Sequence, residues 1–276
     1  MDNNMIPLPS KPLYCMGAIC GDVIGSTYEF HRIKHKHFTL FPKGSRPTDD
    51  SVMTVANMLW LTNPDENQLT DSMQQMGRKY PMAGYGHKFR EWLRSDDAQP
   101  YGSFGNGSAM RVSPVAWVGD TLDRVLDLAQ MSASVTHNHP EGIKGAQATA
   151  AAIFLARTGH DKASIKEYVQ QHFAYDLSRT LSDIRPGYGF NSSCQQSVPE
   201  AIICFLEGTN YEDTIRNAVS LGGDADTQAA IAGSIAEAYY GGVPEDILSL
   251  TWQLLPADMQ QAILQFQAVI RSTEKQ

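Results

Sequence analysis

The sequence is poor in cysteine, and its cysteines are not spaced to bind a metal. The 276-residue chain has four, at Cys15, Cys20, Cys194 and Cys204, and no two of them form a Cys-x-x-Cys pair. A thiolate zinc site is therefore not expected. Scattered thiols in a chain of this size are typical of a reduced, intracellular protein.

Long apolar runs and excess positive charge are also absent. No apolar run approaches the ~20 residues that a membrane-spanning helix needs. The first twelve residues, rich in Asn, Pro, Ser and Lys, lack the apolar core of a signal peptide. A net charge of −8 gives no general affinity for nucleic acid or anionic membranes. We therefore expect a soluble cytoplasmic protein without a membrane partner and with nucleic acid an improbable one. We also expect a monomer rather than an oligomer, although no residue pattern indicates the oligomeric state.

Strand patterns are nearly absent, whereas helical periodicity recurs along the whole chain. The best short strand candidate is residues 38–41. With 42% hydrophobic residues, the chain can bury a substantial core. We predict one all-α domain of about a dozen helices over residues 13–271. A flexible lead-in (1–12) would precede it, and a polar tail (272–276) would follow.

Three glycines fall on one face of the first predicted helix. Gly17, Gly21 and Gly25 stand at positions i, i+4 and i+8. Glycine inside a helix is costly, so this spacing predicts a helix pressed close against a neighbour or a ligand.

Residues 222–227 carry the first acidic cluster. Two glycines are followed by Asp224, Asp226 and Thr227 just where an Ala/Ile-rich helical pattern begins. Oxygen donors of this kind suit a hard cation such as magnesium, manganese or calcium. The alternative is an ordinary capped helix, because Asp and Thr favour first turns in any case.

A second cluster is a near mirror image of the first. Thr48, Asp49 and Asp50 open another predicted helix. Four carboxylates brought together without a counter-ion would have raised pKa values and would cost stability. A pair of divalent ions would resolve that conflict and could activate water. The alternative is two unrelated capped helices on opposite sides of the fold.

The glycine-rich stretch 102–111 is a candidate anion site. It contains three glycines, two serines and an asparagine before a helix start. Backbone N–H groups exposed in such a loop can hold a phosphate or diphosphate. The stretch is neither a Walker A loop nor a dinucleotide fingerprint. A flexible loop is the alternative, and Phe104 either stacks on a base or ribose or packs in the core.

Two other features are given less weight as sites. The histidine-bearing segment 31–37 is predicted to be a solvated loop rather than a metal site. Tyr85 and Tyr188 stand in loops, and on that composition alone we expect them to form aromatic rims of a cleft.

Taken together, these residues resemble the ADP-ribosylglycohydrolase family, the relatives of dinitrogenase reductase-activating glycohydrolase. The resemblance runs from Gly17 to about Tyr240, and its anchors stand in the family's order. They are Gly21-Asp22 with Gly25 and Glu29, Thr48-Asp49-Asp50-Ser51, Gly105-Asn106-Gly107-Ser108-Ala109-Met110-Arg111, Thr136-His137, and Gly222-Gly223-Asp224-Ala225-Asp226-Thr227.

The resemblance implies a compact orthogonal all-α fold with two Mg²⁺ or Mn²⁺ ions. The implied metal ligands are Thr48, Asp49, Asp50, Asp224, Asp226 and Thr227. Glu29 matches an acidic residue that approaches the metal from a mobile loop in some relatives, and the resemblance implies that it is catalytic together with Asp49 and Asp50. The residues implied to bind the diphosphate and the adenosine-side ribose are Gly102, Ser103, Phe104, Gly105 and Asn106, and His137 would also touch ADP-ribose.

The implied activity is hydrolysis of the bond between ADP-ribose C1″ and a modified side chain of a protein substrate. The side chain is commonly arginine, or serine in some branches of the family. Asp49 or Asp50 would take the proton from water, and the choice between them stays open. Such an enzyme would reverse a regulatory modification or protect against an ADP-ribosylating toxin. The alternatives are a non-catalytic ADP-ribose-binding or target-blocking protein and a nucleotide phosphohydrolase.

Overall fold

Helices make up all of the regular secondary structure in the part of the chain that the computed structural model describes, residues 6–62 and 66–273. This confirms the predicted all-α class. The helices are α1 (Gly17–Gly25), α2 (Asp49–Leu61), α3 (Glu66–Lys79), α4 (His87–Arg94), α5 (Gly107–Met110), α6 (Val115–Val118), α7 (Leu122–Ser134), α8 (Pro140–Arg157), α9 (Lys162–Phe173), α10 (Leu181–Ile184), α11 (Cys194–Glu207), α12 (Tyr211–Val219), α13 (Ala225–Tyr240), α14 (Glu245–Leu254) and α15 (Ala257–Thr273).

Helix α13 is the central helix. Its small side chains let α1, α8, α11 and α12 pack closely around it, and it is buried from Ala225 to Glu237. The predicted glycine face of α1 lies against it. A Cβ at Gly21 would overlap the carbonyl group of Ala229, and one at Gly25 would lie 2.5 Å from the Cα of Asp226. The close approach expected from the glycine spacing is therefore confirmed.

Helix α2 packs on α1, on α3 and on α15, and it also touches α13. Thr48 is its N-cap, and the Thr48 side chain accepts a hydrogen bond from the backbone N–H of Asp50 at 3.4 Å. Because α1 lies against both α2 and α13, the first turns of α2 and α13 come together. This juxtaposition positions the site described below.

The predicted strand at residues 38–41 is wrong. This segment has bends and no strand pairing. Side chains satisfy its carbonyl groups where a partner strand would otherwise be needed: Arg216 Nη1 donates to Phe38 O at 2.8 Å, and Tyr28 Oη donates to Thr39 O at 2.6 Å. The apolar side chains Phe38, Leu40 and Phe41 pack against the hydrophobic core, and the Arg216 guanidinium of α12 lies over the Phe38 ring, so the apolar composition indicated packing and not a sheet.

The described part of the predicted lead-in, residues 6–12, contacts the C-terminal helices. Ile6 N donates to Gln260 Oε1 at 3.1 Å, and Trp252 Nε1 donates to Ile6 O at 2.7 Å. Residues 1–5 and 274–276 lie outside the described residues, so the domain boundaries stay a prediction. Segment 31–37 is a loop, as predicted. Among the described residues no helix is long and apolar enough to cross a membrane.

Candidate active site

The N-terminal ends of α2 and α13 meet at one cavity of about 470 Å³. The alternative of two unrelated capped helices on opposite sides of the fold is therefore ruled out. All the residues predicted from the two acidic clusters line this cavity, together with the predicted catalytic glutamate: Thr48, Asp49, Asp50, Asp224, Asp226, Thr227 and Glu29.

The carboxylates form two overlapping sets of oxygens. One oxygen each from Asp22, Asp50 and Asp226 lie within 4.8 Å of one another, and so do oxygens from Glu29, Asp224 and Asp226. Asp226 belongs to both sets. In addition, the Thr227 hydroxyl donates to Asp50 Oδ2 at 3.2 Å, which ties the first turn of α13 to that of α2.

The electrostatics of this wall favour a bound cation. Burial first, and then repulsion from neighbouring carboxylates, raise the pKa values of Asp49, Asp50 and Asp226 well above their usual range. The same causes raise the pKa of Glu29 to about 7, and burial raises the pKa of Asp224 to about 6. Asp50 Oδ1 is buried and has no hydrogen-bond partner among the described residues. Buried oxygens with no counter-ion are the donor set that a hard divalent ion takes, so the residues present fit such an ion.

The glycine-rich stretch borders the same cavity. Ser103, Gly105, Asn106 and His137 line it. Gly102 and Phe104 instead line an adjoining cavity of about 610 Å³, which shares Ser103 and Gly105 with the first. Asn106 Nδ2 donates to Asp224 Oδ2 at 2.8 Å, so this loop and the acidic wall are in direct contact.

Most of the loop's backbone N–H groups are used inside the protein. The amide of Gly102 donates to Asn138 Oδ1, and the amide of Ser103 donates to Thr136 O. The amide of Gly105 donates to Ser103 Oγ, and the amide of Asn106 donates to Ser192 O. An anion in the cavity must therefore find other donors than these four amides.

The family model described as ADP-ribosylglycohydrolase matches residues 14–274. The chain belongs to this family. The human protein named ADP-ribosylhydrolase ARH3 is 29% identical, over 86% of this chain and 86% of that protein. The ADP-ribosyl-dinitrogen reductase glycohydrolase of Rhodospirillum rubrum is 28% identical, over 82% of this chain and 84% of that protein.

A solved structure, titled an ADP-ribosylglycohydrolase-related protein complex, has the same fold. It superposes with a TM-score of 0.67 at 23% identity and covers 94% of this chain and 97% of its own. The sequence-based resemblance, the fold type and the glycohydrolase class are thus confirmed. This ADP-ribosylglycohydrolase family member is an enzyme of the class that removes ADP-ribose.

The predicted aromatic rims are wrong for both tyrosines. Tyr85 is 3% exposed and packs against Phe89. Tyr188 is half-buried, with its ring against Gly223 and its hydroxyl donating to Gln196 O and accepting from Gln228 Nε2. The large exposed aromatics at the two cavities are phenylalanines: Phe30 (77% exposed), Phe104 (51%) and Phe190 (45%).

Asp22 is the site residue to which sequence reasoning gave no role. It is fully buried on α1, and its carboxylate accepts from Thr48 N at 2.9 Å, Thr48 Oγ1 at 2.6 Å, Ser51 N at 3.0 Å and the Ser51 hydroxyl. Both carboxylate oxygens are thereby occupied, so Asp22 holds the first turn of α2 in place. The available signal was a single carboxylate within an otherwise apolar, glycine-faced helix.

Proposed function

We propose that this protein is a metal-dependent hydrolase that removes ADP-ribose from a modified side chain of a protein substrate, with arginine as the first linkage to test. The observation that carries the proposal is the pair of carboxylate sets that share Asp226. In the first set the Asp22 oxygens are occupied by their hydrogen bonds to the α2 turn, which leaves Asp50 and Asp226 to face an ion. Two sets with a common member are the pattern expected for two neighbouring divalent ions. We propose Mg²⁺ or Mn²⁺, because the donors are all oxygens.

The ligands would be the two threonines and four aspartates at the helix starts: Thr48, Asp49, Asp50, Asp224, Asp226 and Thr227. Ions held there supply Lewis-acid chemistry, which lowers the pKa of water and orients hydroxyl groups. Asp22 prepares Thr48 for this role, because the Thr48 hydroxyl donates its proton to Asp22 Oδ1 and keeps its remaining lone pairs for a ligand.

The carboxylates also suit the bond to be broken. Cleavage at an anomeric carbon passes through an oxocarbenium-like transition state, which nearby negative charge stabilises. Asp49 or Asp50 would take the proton from the attacking water. Glu29 lies at the half-exposed edge of the cavity, and a carboxyl group with a pKa of about 7 can both accept and release a proton near neutral pH.

The rest of ADP-ribose would follow the glycine-rich stretch. With the distal ribose at the acidic wall, the diphosphate would lie by Ser103, Gly105, Asn106 and His137. The adenosine side would then reach the second cavity, which Gly102 and Phe104 line. The two cavities share Ser103 and Gly105, so one extended ligand can occupy both.

The test is a panel of linkages. Peptides that carry ADP-ribose on arginine or on serine are incubated with the protein in Mg²⁺, in Mn²⁺ and in chelator, and released ADP-ribose is measured by mass spectrometry. We expect release from the arginine peptide with either ion, and none in chelator. No release from any linkage in either ion would refute the proposal.

One variant and one further assay separate the proposal from its alternatives. Asp224→Ala should abolish release while leaving the fold intact; if the biological effect of the protein survives in this variant, binding and not hydrolysis is its function. Release of phosphate from free ADP-ribose, without release of ADP-ribose from any peptide, would show a nucleotide phosphohydrolase.

The same chemistry would serve two biological roles: reversal of a regulatory modification and protection against an ADP-ribosylating toxin. We propose both as candidate roles. The Rhodospirillum rubrum relative is named for ADP-ribosyl-dinitrogen reductase, so reversal of a modification on an enzyme is one role. Protection against an ADP-ribosylating toxin would need no different residue at the site. Which role applies follows from the protein that the enzyme releases ADP-ribose from in its own cell.

A further inference from the structure

Arg111 is a buried cation that has no carboxylate partner among the described residues. It is 1% exposed, directly follows α5 and is the last residue of the glycine-rich stretch. Its guanidinium donates to Gly107 O at 2.9 Å, Ser132 O at 3.0 Å and Thr136 Oγ1 at 2.9 Å. No salt bridge among the described residues includes it. Burying a guanidinium without a counter-charge is costly, so its presence beside a cavity calls for an anion from outside the chain.

The hydrogen bonds around the Thr136 hydroxyl indicate which nitrogen of His137 carries the proton. A guanidinium has only donors, so the Thr136 hydroxyl must accept from it. That hydroxyl lies 2.7 Å from His137 Nδ1, and the described hydrogen bonds give its own proton no other acceptor. The Thr136 hydroxyl therefore donates to Nδ1. Nδ1 is the acceptor nitrogen, and Nε2 of the neutral ring carries the N–H.

This N–H points toward the ligand cavity. His137 Nε2 lies 3.1 Å from where a Cβ would stand on Gly107 and 3.6 Å from where one would stand on Gly105. His137 and both glycines line the cavity of about 470 Å³. Nε2 has no hydrogen-bond partner within the described part of the chain. A side chain at Gly107 would crowd this donor, and this explains physically why the position is occupied by glycine.

The ring stays neutral in this environment. Burial, and then the charge of Arg111, lower the pKa of His137 well below its usual value. A neutral imidazole with a fixed Nε2–H is a donor whose direction does not change with pH. Because four amides of the glycine-rich stretch are used internally, an anion beside this loop needs other donors, and the Nε2–H with the charge of Arg111 behind it supplies one of them.

We propose that Arg111 is a positioning residue for the anionic part of the ligand. It holds His137 as an Nε2–H donor through Thr136, and its unpaired charge behind Gly107 is balanced by the phosphate groups of the ligand. The cavity then matches a ligand whose central part is a diphosphate. The wall of carboxylates binds cations, and the adjoining wall with His137 and Arg111 binds the phosphate groups. The inference rests on the proposed function and adds to it the residue that selects the diphosphate.

The test compares ligands with and without phosphate. Binding of ADP-ribose, inorganic pyrophosphate and adenosine is measured by calorimetry in chelator for the wild type, Arg111→Met and Arg111→Lys. Arg157→Met is the control, because Arg157 is a half-buried guanidinium that donates to Gly119 O at 2.7 Å and does not line the cavity. Loss of a hydrogen-bonded charge predicts roughly 10- to 100-fold weaker ADP-ribose binding in Arg111→Met.

The pattern across ligands distinguishes positioning from structural support. We expect Arg111→Met to lose pyrophosphate binding and to keep the wild-type affinity for adenosine, Arg111→Lys to bind ADP-ribose with intermediate affinity, and the Arg157 control to match the wild type. Equal losses for adenosine and ADP-ribose would overturn the proposal, because they would show a general loss of structure.

A second measurement needs no variant. Nitrogen NMR of the wild type labelled at histidine should show the His137 proton on Nε2 and none on Nδ1. A proton on Nδ1 would overturn the hydrogen-bond chain even if Arg111→Met failed to fold. Should the wild type release no ADP-ribose from any linkage in Mg²⁺ or Mn²⁺, the proposed function fails, and the NMR result still decides the chain from Arg111 to His137.

Discussion

Replacing Asp22 with alanine should release the first turn of α2. In the wild type the Asp22 carboxylate accepts from the backbone N–H groups of Thr48 and Ser51 and from both of their hydroxyls. The variant leaves two buried backbone donors without acceptors, at about 1–3 kcal/mol each. Relief of the cost of burying the carboxylate, which raises the pKa of Asp22, offsets part of this. We expect a net loss of about 3 kcal/mol, or roughly 6–12 °C in Tm.

The same variant should bind metal weakly, because Asp22 holds the turn that carries Thr48, Asp49 and Asp50. Stability is measured by urea unfolding, and metal binding by calorimetric titration with Mn²⁺. Asp22→Asn can keep its oxygen for the backbone N–H groups of Thr48 and Ser51 and turn its N–H₂ toward the Thr48 hydroxyl alone, so its loss should be smaller. The matched control is Asp161→Ala, which removes the N-cap of α9, an exposed carboxylate that accepts from Ser164 N at 2.8 Å.

Asp161→Ala should lower the free energy of unfolding by less than Asp22→Ala does, and it should leave Mn²⁺ binding unaltered. An unfolding free energy of Asp22→Ala within about 0.5 kcal/mol of the wild type would refute the reasoning, because that is the range of an ordinary surface substitution. Normal Mn²⁺ affinity in a destabilised Asp22→Ala would show that the first turn of α2 forms without this carboxylate.

Three further outcomes are expected. Gly21→Ala places a Cβ against the carbonyl of Ala229 and should cost about 1–3 kcal/mol in urea unfolding, whereas Gly187→Ala, where a Cβ meets nothing within 4 Å, should be neutral. Gly84→Ala would have to adopt φ +119° and would place its Cβ 2.9 Å from Asp49 Oδ1. Because this displaces the Asp49 carboxylate, Mn²⁺ binding in calorimetry should weaken; unchanged affinity would show that Asp49 is not a metal ligand. For Asp224, folding raises the pKa from about 4 to about 6, so the folded wild type holds its proton more tightly and loses stability as pH rises through that window. In chelator, the stability of Asp224→Asn relative to wild type should therefore rise between about pH 4 and pH 6, and a flat difference would contradict this.

Features that depend on local spacing could be read from the sequence. Glycines at i, i+4 and i+8 predicted close helix packing, because one face of a helix repeats on that period. The two acidic clusters were recognisable as helix starts, since Thr and Asp at these positions serve the backbone whatever else they do. The absence of strand patterns predicted the all-α class correctly, apart from residues 38–41.

Side-chain environment was not readable in the same way. Whether an aromatic residue is exposed depends on what packs over its loop, so Tyr85 and Tyr188 could not be told apart from Phe30 and Phe190 by composition. In the same way, the glycine-rich stretch looked like a source of free N–H groups. Tertiary contacts with Asn138, Thr136 and Ser192 use those groups instead.

By itself, the sequence determined the helical class, the family resemblance and the two halves of the acidic site, because each rests on residues close together in the chain. Only the tertiary structure decided that the halves meet. Thr227 reaches Asp50 across 177 positions in the chain, and it does so because the glycine face of α1 lets α2 and α13 share one neighbour. Asp22 and Arg111 acquire their roles from that same packing, since a buried charge is defined by the partners that the fold brings to it.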